Sequence, residues 1–458
     1  MPDNVRTNKY AEISQKYGDP WIWGIYLMLV VISIVESYSA SSREISTKGL
    51  YMPLIMQLVY LAGGAVCIFV LMRSRYNSPS FLYLMVPVLA LFTVFCLIYV
   101  MKFGTVINGA RRVMTIIPGL LTIQPAEFAK LSIVTLLSYI FAKSQKNHDI
   151  SNKGLTAAAL VVTVYGGLMI RSGLTNTLLL ISISGSMLLI GGARLKKILY
   201  MIVFFAIMFG IFLVIKSMND KKDEVFRDSQ KEMVINKAPA KDSLEIVTSG
   251  DKKEDSGDRM RSGTWKNRLK EWWYSDSLVY RPITTKNQQE MFSRMAQAHG
   301  GMLGKGIGQS RECSRLPLAF SDYIFSIIVE ETGFLGGFFV LLLYLSLLGR
   351  AAMIVRRSKR VLPSLLVIGM ASFITFQALF HMAINVGVFP VSGQPLPLVS
   401  KGGTSILVVS IAIGVMLSVS RTIANDGNKN NKVNKDAPVI EGLDAENPTE
   451  IPVKNVWR

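Results

Sequence analysis

The residue best placed to do chemistry is Asp322, a carboxylate at the start of a long apolar segment. It follows a polar loop, and the apolar run continues through Phe338–Leu348. This pattern predicts a membrane-spanning helix with Ser321 as its N-cap and an acid in its first turn. A carboxylate that stays ionised there could act as a general base.

Glu330 and Glu331 follow on the same predicted helix, about 12–14 Å further along its axis. An acid inside the hydrocarbon layer costs about 2.5–3.5 kcal/mol, so each should face a polar cavity or a partner. The alternative is that Asp322 complements the helix dipole in the headgroup layer, while the two glutamates pair with basic groups on neighbouring helices.

The composition excludes a large soluble core. The chain has 458 residues, 50 % hydrophobic and 18 % charged, with a mean hydropathy of +0.36. These values are typical of a polytopic membrane protein. The net charge of +19 comes from Lys and Arg between apolar runs, which indicates membrane topology and not nucleic-acid binding. Cys67, Cys96 and Cys313 are scattered and predict neither a disulfide framework nor a metal site. The polar start predicts no cleavable signal peptide.

The predicted fold is all-α, with ten membrane spans. Lys and Arg are in excess in the short connections that lie on the same side of the membrane as the two termini, which predicts that both termini are cytoplasmic. The spans are 21–41, 51–72, 80–101, 124–142, 155–171, 173–192, 197–217, 322–348, 363–387 and 402–421. The predicted units are a cytoplasmic segment (1–20), seven spans (21–217), an extracytoplasmic loop (218–321), three spans (322–421) and a disordered cytoplasmic tail (422–458).

The large loop has two halves. Residues 219–263 are dense in charged and small polar residues, which predicts disorder. From residue 264, tryptophans at helical spacing favour an amphipathic helix on the membrane surface, with an ordinary packed helix as the alternative. A short helix is predicted over 287–301. The glycines of 304–310 would suit phosphate binding, although a flexible turn is the simpler interpretation.

Four segments of the chain carry recognisable motifs. They are Ser37–Ser41; Asn108–Arg112 with Gln124–Lys130, similar to N-G-A-R-R-W and Q-P-S-E-x-x-K; Ser321–Gly333, similar to T-D-F-I-F and E-E-L-G; and Pro390–Ser405, similar to P-V-T-G-I-P-L-P-F-x-S-Y-G-G-S-S. Together, and in this order, they resemble the SEDS family of cell-wall proteins (FtsW, RodA and SpoVE). The resemblance covers about 20–421. The departures are Val113 for a tryptophan, Lys401 for a tyrosine, and 171–177, where many members have Q-P-D-L-G-T.

The resemblance implies a glycosyltransferase that polymerises lipid II into glycan strands on the outer face of the bacterial inner membrane, in division or in elongation. The Thr264–Arg268 pattern and the long tail resemble FtsW more than RodA. The implied partners are lipid II, the nascent strand, a class B penicillin-binding transpeptidase, other division or elongation proteins and membrane lipid, with no nucleic acid.

The resemblance makes Asp322 the essential acid. An inverting transfer needs one base and no covalent intermediate. The departing diphosphate needs cations, for which Arg111, Arg112 and Lys130 are candidates. Glu127 and Lys130 share a helix face and are both candidate substrate-binding residues, although they could also simply neutralise each other. A divalent cation, Mg²⁺ or Mn²⁺, could bridge carboxylate and diphosphate, but no ligand spacing demands one.

The connection between spans nine and ten is expected to form a wall of the site, because irregular backbone at membrane depth is tolerated where it lines a cavity. Its candidate substrate-binding residues are Gln394, Ser400 and Lys401, with Thr404 nearby. His299 is expected on the surface, and His381 and Gln377 are expected to be hydrogen-bonded packing residues.

Two other functions fit the same pattern. A flippase for lipid II would also have many membrane-spanning helices, acids inside the membrane and irregular loops. No convincing inverted repeat relates the two halves, which weakens that hypothesis. The third class is a non-catalytic scaffold that recruits the transpeptidase.

Overall fold

The computed structural model describes residues 12–40, 51–73, 79–107, 110–117, 121–146, 149–170, 173–207, 210, 272, 283, 287–316, 319–358, 360–390 and 392–436. Its helices are α1 (Pro20–Ser39), α2 (Met52–Arg73), α3 (Pro79–Phe103), α4 (Pro125–Ser144), α5 (Asn152–Ile170), α6 (Leu174–Ile190), α7 (Gln288–Gly300), α8 (Ile324–Arg356), α9 (Val361–Asn385) and α10 (Gly403–Asp436). Short strands β1 (Thr105–Ile107), β2 (Ala110–Ile117) and β3 (Leu121–Ile123) form an antiparallel sheet, and β4 (Gln145–Lys146) pairs with β5 (Asp149–Ile150).

The predicted all-α membrane architecture is confirmed. Within the described residues, eight helices are long and apolar enough to cross a membrane, and Thr175–Ile190 is a shorter apolar helix. The seventh predicted span is described only as helical residues 195–207 and residue 210, so the count of ten stays a prediction. The proposed disordered insert at 219–263 lies outside the described residues. So does the amphipathic helix from residue 264, apart from Trp272.

The core lies among α4, α9 and α10, whose residues are mostly buried, while most residues of the other spans are not. We call one end of the bundle the Asp19 end, after a residue that lies there. At the Asp19 end, Arg350 of α8 forms a forked ion pair with Asp19, which also donates its backbone N–H to Ser420 of α10. At this end a hydrogen bond from Lys197 lowers the pKa of Asp149 in the α4–α5 turn.

Helix α8 is broken at Gly333, which has φ 74° and ψ −174°. The loop after α7 fills the break: Phe334 N–H donates to Gly301 O at 2.9 Å, and Lys305 N–H donates to Glu330 O at 3.0 Å. A Cβ on Gly333 would lie 2.3 Å from the Met302 carbonyl oxygen, so only glycine fits. At Gly300 and Gly304 a Cβ would likewise lie within 2.2 Å of a carbonyl oxygen of α8, so these two glycines permit the close backbone approach.

Two local predictions are wrong. Helix α8 starts at Ile324 with Tyr323 as its N-cap, so Asp322 lies in the preceding turn and Ser321 does not cap the helix. The reason is tertiary, because this turn is held by α9 and by the 392–402 segment, as described below. The tail was predicted to be disordered from residue 422, but α10 continues to Asp436. An established helix propagates at one hydrogen bond per residue fixed, even through a polar sequence. Residues 437–458 lie outside the described residues.

Candidate active site

Asp322 is half-buried at the end of the bundle opposite Asp19, which we call the Asp322 end. Its carboxylate accepts a hydrogen bond from Ser321 Oγ at 3.0 Å, and its backbone carbonyl accepts one from Asn385 Nδ2 at 3.2 Å. The Asn385 amide is itself fixed, because its Oδ1 accepts from Ser326 Oγ at 2.8 Å. The backbone of the candidate base is therefore held by α9, and the residue as a whole is only partly buried.

Residues 392–402 between α9 and α10 form an irregular segment inside the bundle, with Leu396, Leu398 and Val399 fully buried. Buried carbonyls require partners, and side chains of other helices supply them. Four of these bonds are Gln377 Nε2 to Pro395 O at 3.3 Å, His381 Nδ1 to Gln394 O at 2.6 Å, Tyr344 OH to Pro397 O at 2.6 Å and Ser33 Oγ to Val399 O at 3.5 Å. The segment forms a wall of fixed shape.

The candidate residues of this segment have different environments. Ser400 is buried: its Oγ donates to Ser321 O at 2.7 Å and accepts from Leu396 N–H at 2.7 Å. Gln394 is also buried and donates to Asn176 Oδ1 at 2.8 Å. Both therefore hold the wall together. Lys401 is half-exposed, with Nζ 5.2 Å from the centre of the Phe320 ring, and its cation lies near the turn that carries Asp322.

Lys130 is fully buried and lies in a compact polar cluster. Its Nζ is 2.6 Å from Glu127 Oε1 and 2.7 Å from Gln377 Oε1, and it lies 5.6 Å from the centre of the Phe373 ring. In this conformation the ammonium is neutralised inside the protein. The arrangement matches the alternative in which the Glu127–Lys130 pair is structural, and the diphosphate role of Lys130 stays a prediction.

The segment from Ser400 to Thr404 joins the Asp322 turn to the β-sheet. Lys401 N–H donates to Phe320 O at 3.0 Å, and Thr404 Oγ1 donates to Thr122 O of β3 at 2.8 Å. Strand β3 pairs with β2, whose backbone includes Arg111 and Arg112. The side chains of these two arginines lie outside the described part of the chain. The backbone nevertheless brings their strand to the same end of the bundle as Asp322.

Glu330 and Glu331 are buried, as expected of acids that need partners, but their partners lie mostly in loops and not on neighbouring helices. Glu330 accepts from Ser310 Oγ at 2.5 Å and from Arg311 N–H at 3.0 Å, and Lys305 Nζ lies 3.8 Å away. Glu331 accepts from Ser39 Oγ of α1. The half-exposed His299 lies 3.9 Å from Glu330. These acids stabilise the loop after α7.

Sequence reasoning missed Asn385. The signal was available, because Gln377, His381 and Asn385 recur at intervals of four in an apolar helix and so share one face. His381 and Gln377 are hydrogen-bonded and buried, as predicted.

An apolar cavity of about 550 Å³ lies among α2, α3, α4, α9 and α10. Phe128, Leu131 and Thr135 line it from α4, on the face next to the one that carries Glu127 and Lys130. Within the described residues, no group of three or more His, Cys, Asp or Glu could hold a metal ion. The involvement of Mg²⁺ or Mn²⁺ stays a prediction.

Comparison with known proteins decides the family. The FtsW/RodA/SpoVE family model, described as "cell cycle protein", matches residues 20–250 and 265–425. This chain belongs to that family. Similar relatives include the probable peptidoglycan glycosyltransferase FtsW of Xanthomonas oryzae, 26 % identical over 88 % of this chain and 72 % of the relative. The stage V sporulation protein E of Bacillus subtilis is also 26 % identical, over 87 % of this chain and 95 % of its own length.

Solved structures share the fold of this family member. The rod shape determining protein RodA of Thermus thermophilus, a D255A mutant, aligns with a TM-score of 0.56 and 21 % identity over 88 % of this chain and 97 % of its own. A chain from a structure described as coordinating polymerization and crosslinking in a peptidoglycan synthase complex aligns with a TM-score of 0.59, also at 21 % identity, over 88 % and 98 %. At this identity the likeness establishes the fold alone.

Proposed function

We propose that this protein is a peptidoglycan glycosyltransferase that polymerises lipid II into glycan strands by inverting transfer. The proposal is based on a polar site at one end of the helix bundle and an apolar cavity along α4 of the same bundle. The half-buried Asp322 carboxylate lies at the end where α4 begins, and the cavity follows α4 from Phe128 towards the other end. This arrangement suits a substrate with a sugar–diphosphate head and a long lipid tail. FtsW relatives carry the name of this activity.

In the proposed reaction Asp322 accepts the proton of the acceptor sugar hydroxyl, while the oxygen of that hydroxyl forms a bond to C1 of the donor sugar. The C1–oxygen bond to the lipid diphosphate breaks, and the diphosphate leaves with its negative charge. Lys401 is a half-exposed cation near the Asp322 turn, and Arg111 and Arg112 lie on the adjoining sheet. Cations in these places would stabilise the charge that develops on the leaving group. The fixed 392–402 wall would hold the reacting groups in position.

We further propose that the Asp322 end faces the outside of the inner membrane and that both termini are cytoplasmic, on the basis of the Lys and Arg distribution. The proposed partner is a class B penicillin-binding transpeptidase, which would crosslink the new strands. One structural neighbour comes from a complex that coordinates polymerization and crosslinking, which supports a two-enzyme assembly. The FtsW names among the relatives favour a role in division over one in elongation.

The test is polymerisation of lipid II by the purified protein, with and without its transpeptidase. We expect Asp322→Asn to reduce polymer formation by roughly 10²–10⁴-fold, the usual contribution of a general base. Ser321→Ala is the matched control, because it removes only the hydrogen bond to the carboxylate. A folded Asp322→Asn protein with wild-type polymerisation would overturn the base assignment. Movement of lipid II across vesicle membranes without any polymer would instead support a flippase.

A further inference from the structure

The loop after α7 exposes three large apolar side chains. Met302, Leu303 and Ile307 have 65 %, 78 % and 63 % of their surfaces exposed. Single exposed apolar residues are normal, but three on one short loop form a patch. The patch continues onto α8, where Phe334 and Leu335 are also more than half exposed.

The position of the loop against α8 is fixed by backbone contacts. Phe334 N–H donates to Gly301 O, and Leu335 N–H donates to Met302 O at 3.3 Å. A Cβ on Gly304 would lie 2.2 Å from the Glu331 carbonyl oxygen. Met302 and Leu303 therefore lie at the level of the α8 break.

The spacing of charged residues places that level at the edge of the hydrocarbon layer. Arg350, paired with Asp19, lies 17 residues after Gly333 on α8, which is about 26 Å along a helix. On α1, the buried Glu36 lies 17 residues from Asp19, giving the same length. Both values are close to the hydrocarbon thickness of about 30 Å. On this geometry Glu330 and Glu331 lie at the membrane boundary, and not deep in the bilayer.

The exposed charges beside the apolar patch have one sign. Within the described stretch 301–316, Arg311 and Arg315 are exposed and Lys305 is partly exposed, while Glu312 is buried. Basic side chains at the edge of the hydrocarbon layer are attracted to lipid phosphates, with their stems lying along apolar surface. Apolar tips flanked by cations are the pattern of an interfacial membrane anchor.

We propose that residues 301–308 insert into the bilayer interface, with Met302, Leu303 and Ile307 among the acyl chains and the neighbouring cations among the lipid phosphates. The anchor fixes the depth of α7 and of the α8 break relative to the membrane surface. The inference rests on exposure, charge and spacing, and it does not depend on the proposed enzymatic activity.

The test places a fluorescent label at Leu303. In a Cys67→Ala, Cys96→Ala, Cys313→Ala background, Leu303→Cys is labelled with an environment-sensitive dye, and the protein is reconstituted in nanodiscs of phosphatidylcholine and phosphatidylglycerol. Phe338→Cys, on the exposed face of α8, is the membrane control. Arg194→Cys, at a site 77 % exposed in the wild type, is the aqueous control.

If the anchor exists, the Leu303 label behaves like the Phe338 label: doxyl lipids quench it strongly, and iodide quenches it several-fold less than the Arg194 label. Iodide quenching equal to that of Arg194 would overturn the proposal. Protection from both quenchers would overturn it too, because it would mean that protein and not lipid covers the loop.

Discussion

Gln377 and Asn385 lie on the same face of α9, and each holds a different candidate group of the site. Gln377 accepts a hydrogen bond from the Lys130 ammonium at 2.7 Å, and Asn385 donates one to the Asp322 carbonyl at 3.2 Å. Eight residues separate them, which corresponds to about 12 Å along the helix axis. Helix α9 therefore sets the distance between the acid turn and the buried lysine.

The Glu127–Lys130 pair gives the first prediction. Glu127→Ala leaves the fully buried Lys130 ammonium without its counter-ion, so we expect a loss of about 3–5 kcal/mol of stability. The thermal midpoint of the purified protein measures it. The double variant Glu127→Leu, Lys130→Met removes both charges, and its midpoint should be close to that of the wild type. If the stable double variant still polymerises lipid II, the Glu127–Lys130 pair is only structural. If the double variant folds but no longer polymerises lipid II, the result supports contact between Lys130 and the diphosphate.

Asn385 is predicted to act as a positioning residue for Asp322. Asn385→Ala removes the hydrogen bond to the Asp322 carbonyl, which is worth about 1 kcal/mol, so we expect kcat to fall about fivefold with little change in KM. Initial rates with lipid II measure both constants. Ser293→Ala is the control, since Ser293 bonds Ser326 and the Asn385 carbonyl but does not touch Asp322. Equal rates for both variants would contradict the positioning role.

The break in α8 predicts opposite effects for two glycines of the same helix. Gly333→Ala places a methyl group against the Met302 carbonyl at positive φ, which should destabilise the protein by at least about 1–3 kcal/mol. Gly349→Ala meets nothing within 4 Å and should be neutral, or stabilising by up to about 1 kcal/mol. Thermal midpoints compare the two. A tolerated alanine at residue 333 would show that the break does not form.

The ion pair at the opposite end should affect stability without affecting catalysis. Asp19→Ala leaves Arg350, whose side chain is only 12 % exposed, without its carboxylate, and we expect a loss of about 3–5 kcal/mol. Arg194→Gln breaks an ion pair whose cation is 77 % exposed, so its effect should stay below about 1 kcal/mol. Polymerisation per folded molecule should be unchanged in both variants. A selective loss of activity in Asp19→Ala would show that the two ends of the bundle are coupled.

The sequence by itself determined the membrane class, most span positions and the short helix before the glycine loop. These features depend on local composition and periodicity, which a single chain displays directly. It also showed the polar residues of α9 four positions apart, although their common role was not recognised.

Only the tertiary structure decided that Asp322 lies outside its helix, that α8 breaks at Gly333, and that the Lys130 ammonium is buried against Gln377 of α9. Each depends on hydrogen bonds between residues far apart in the chain, such as Lys130 with Gln377 or Lys401 with Phe320. A glycine in an apolar run is compatible with a continuous helix until another backbone segment supplies the hydrogen bonds that the break requires. The irregular 392–402 segment is buried for the same reason, because side chains from other helices satisfy its carbonyls.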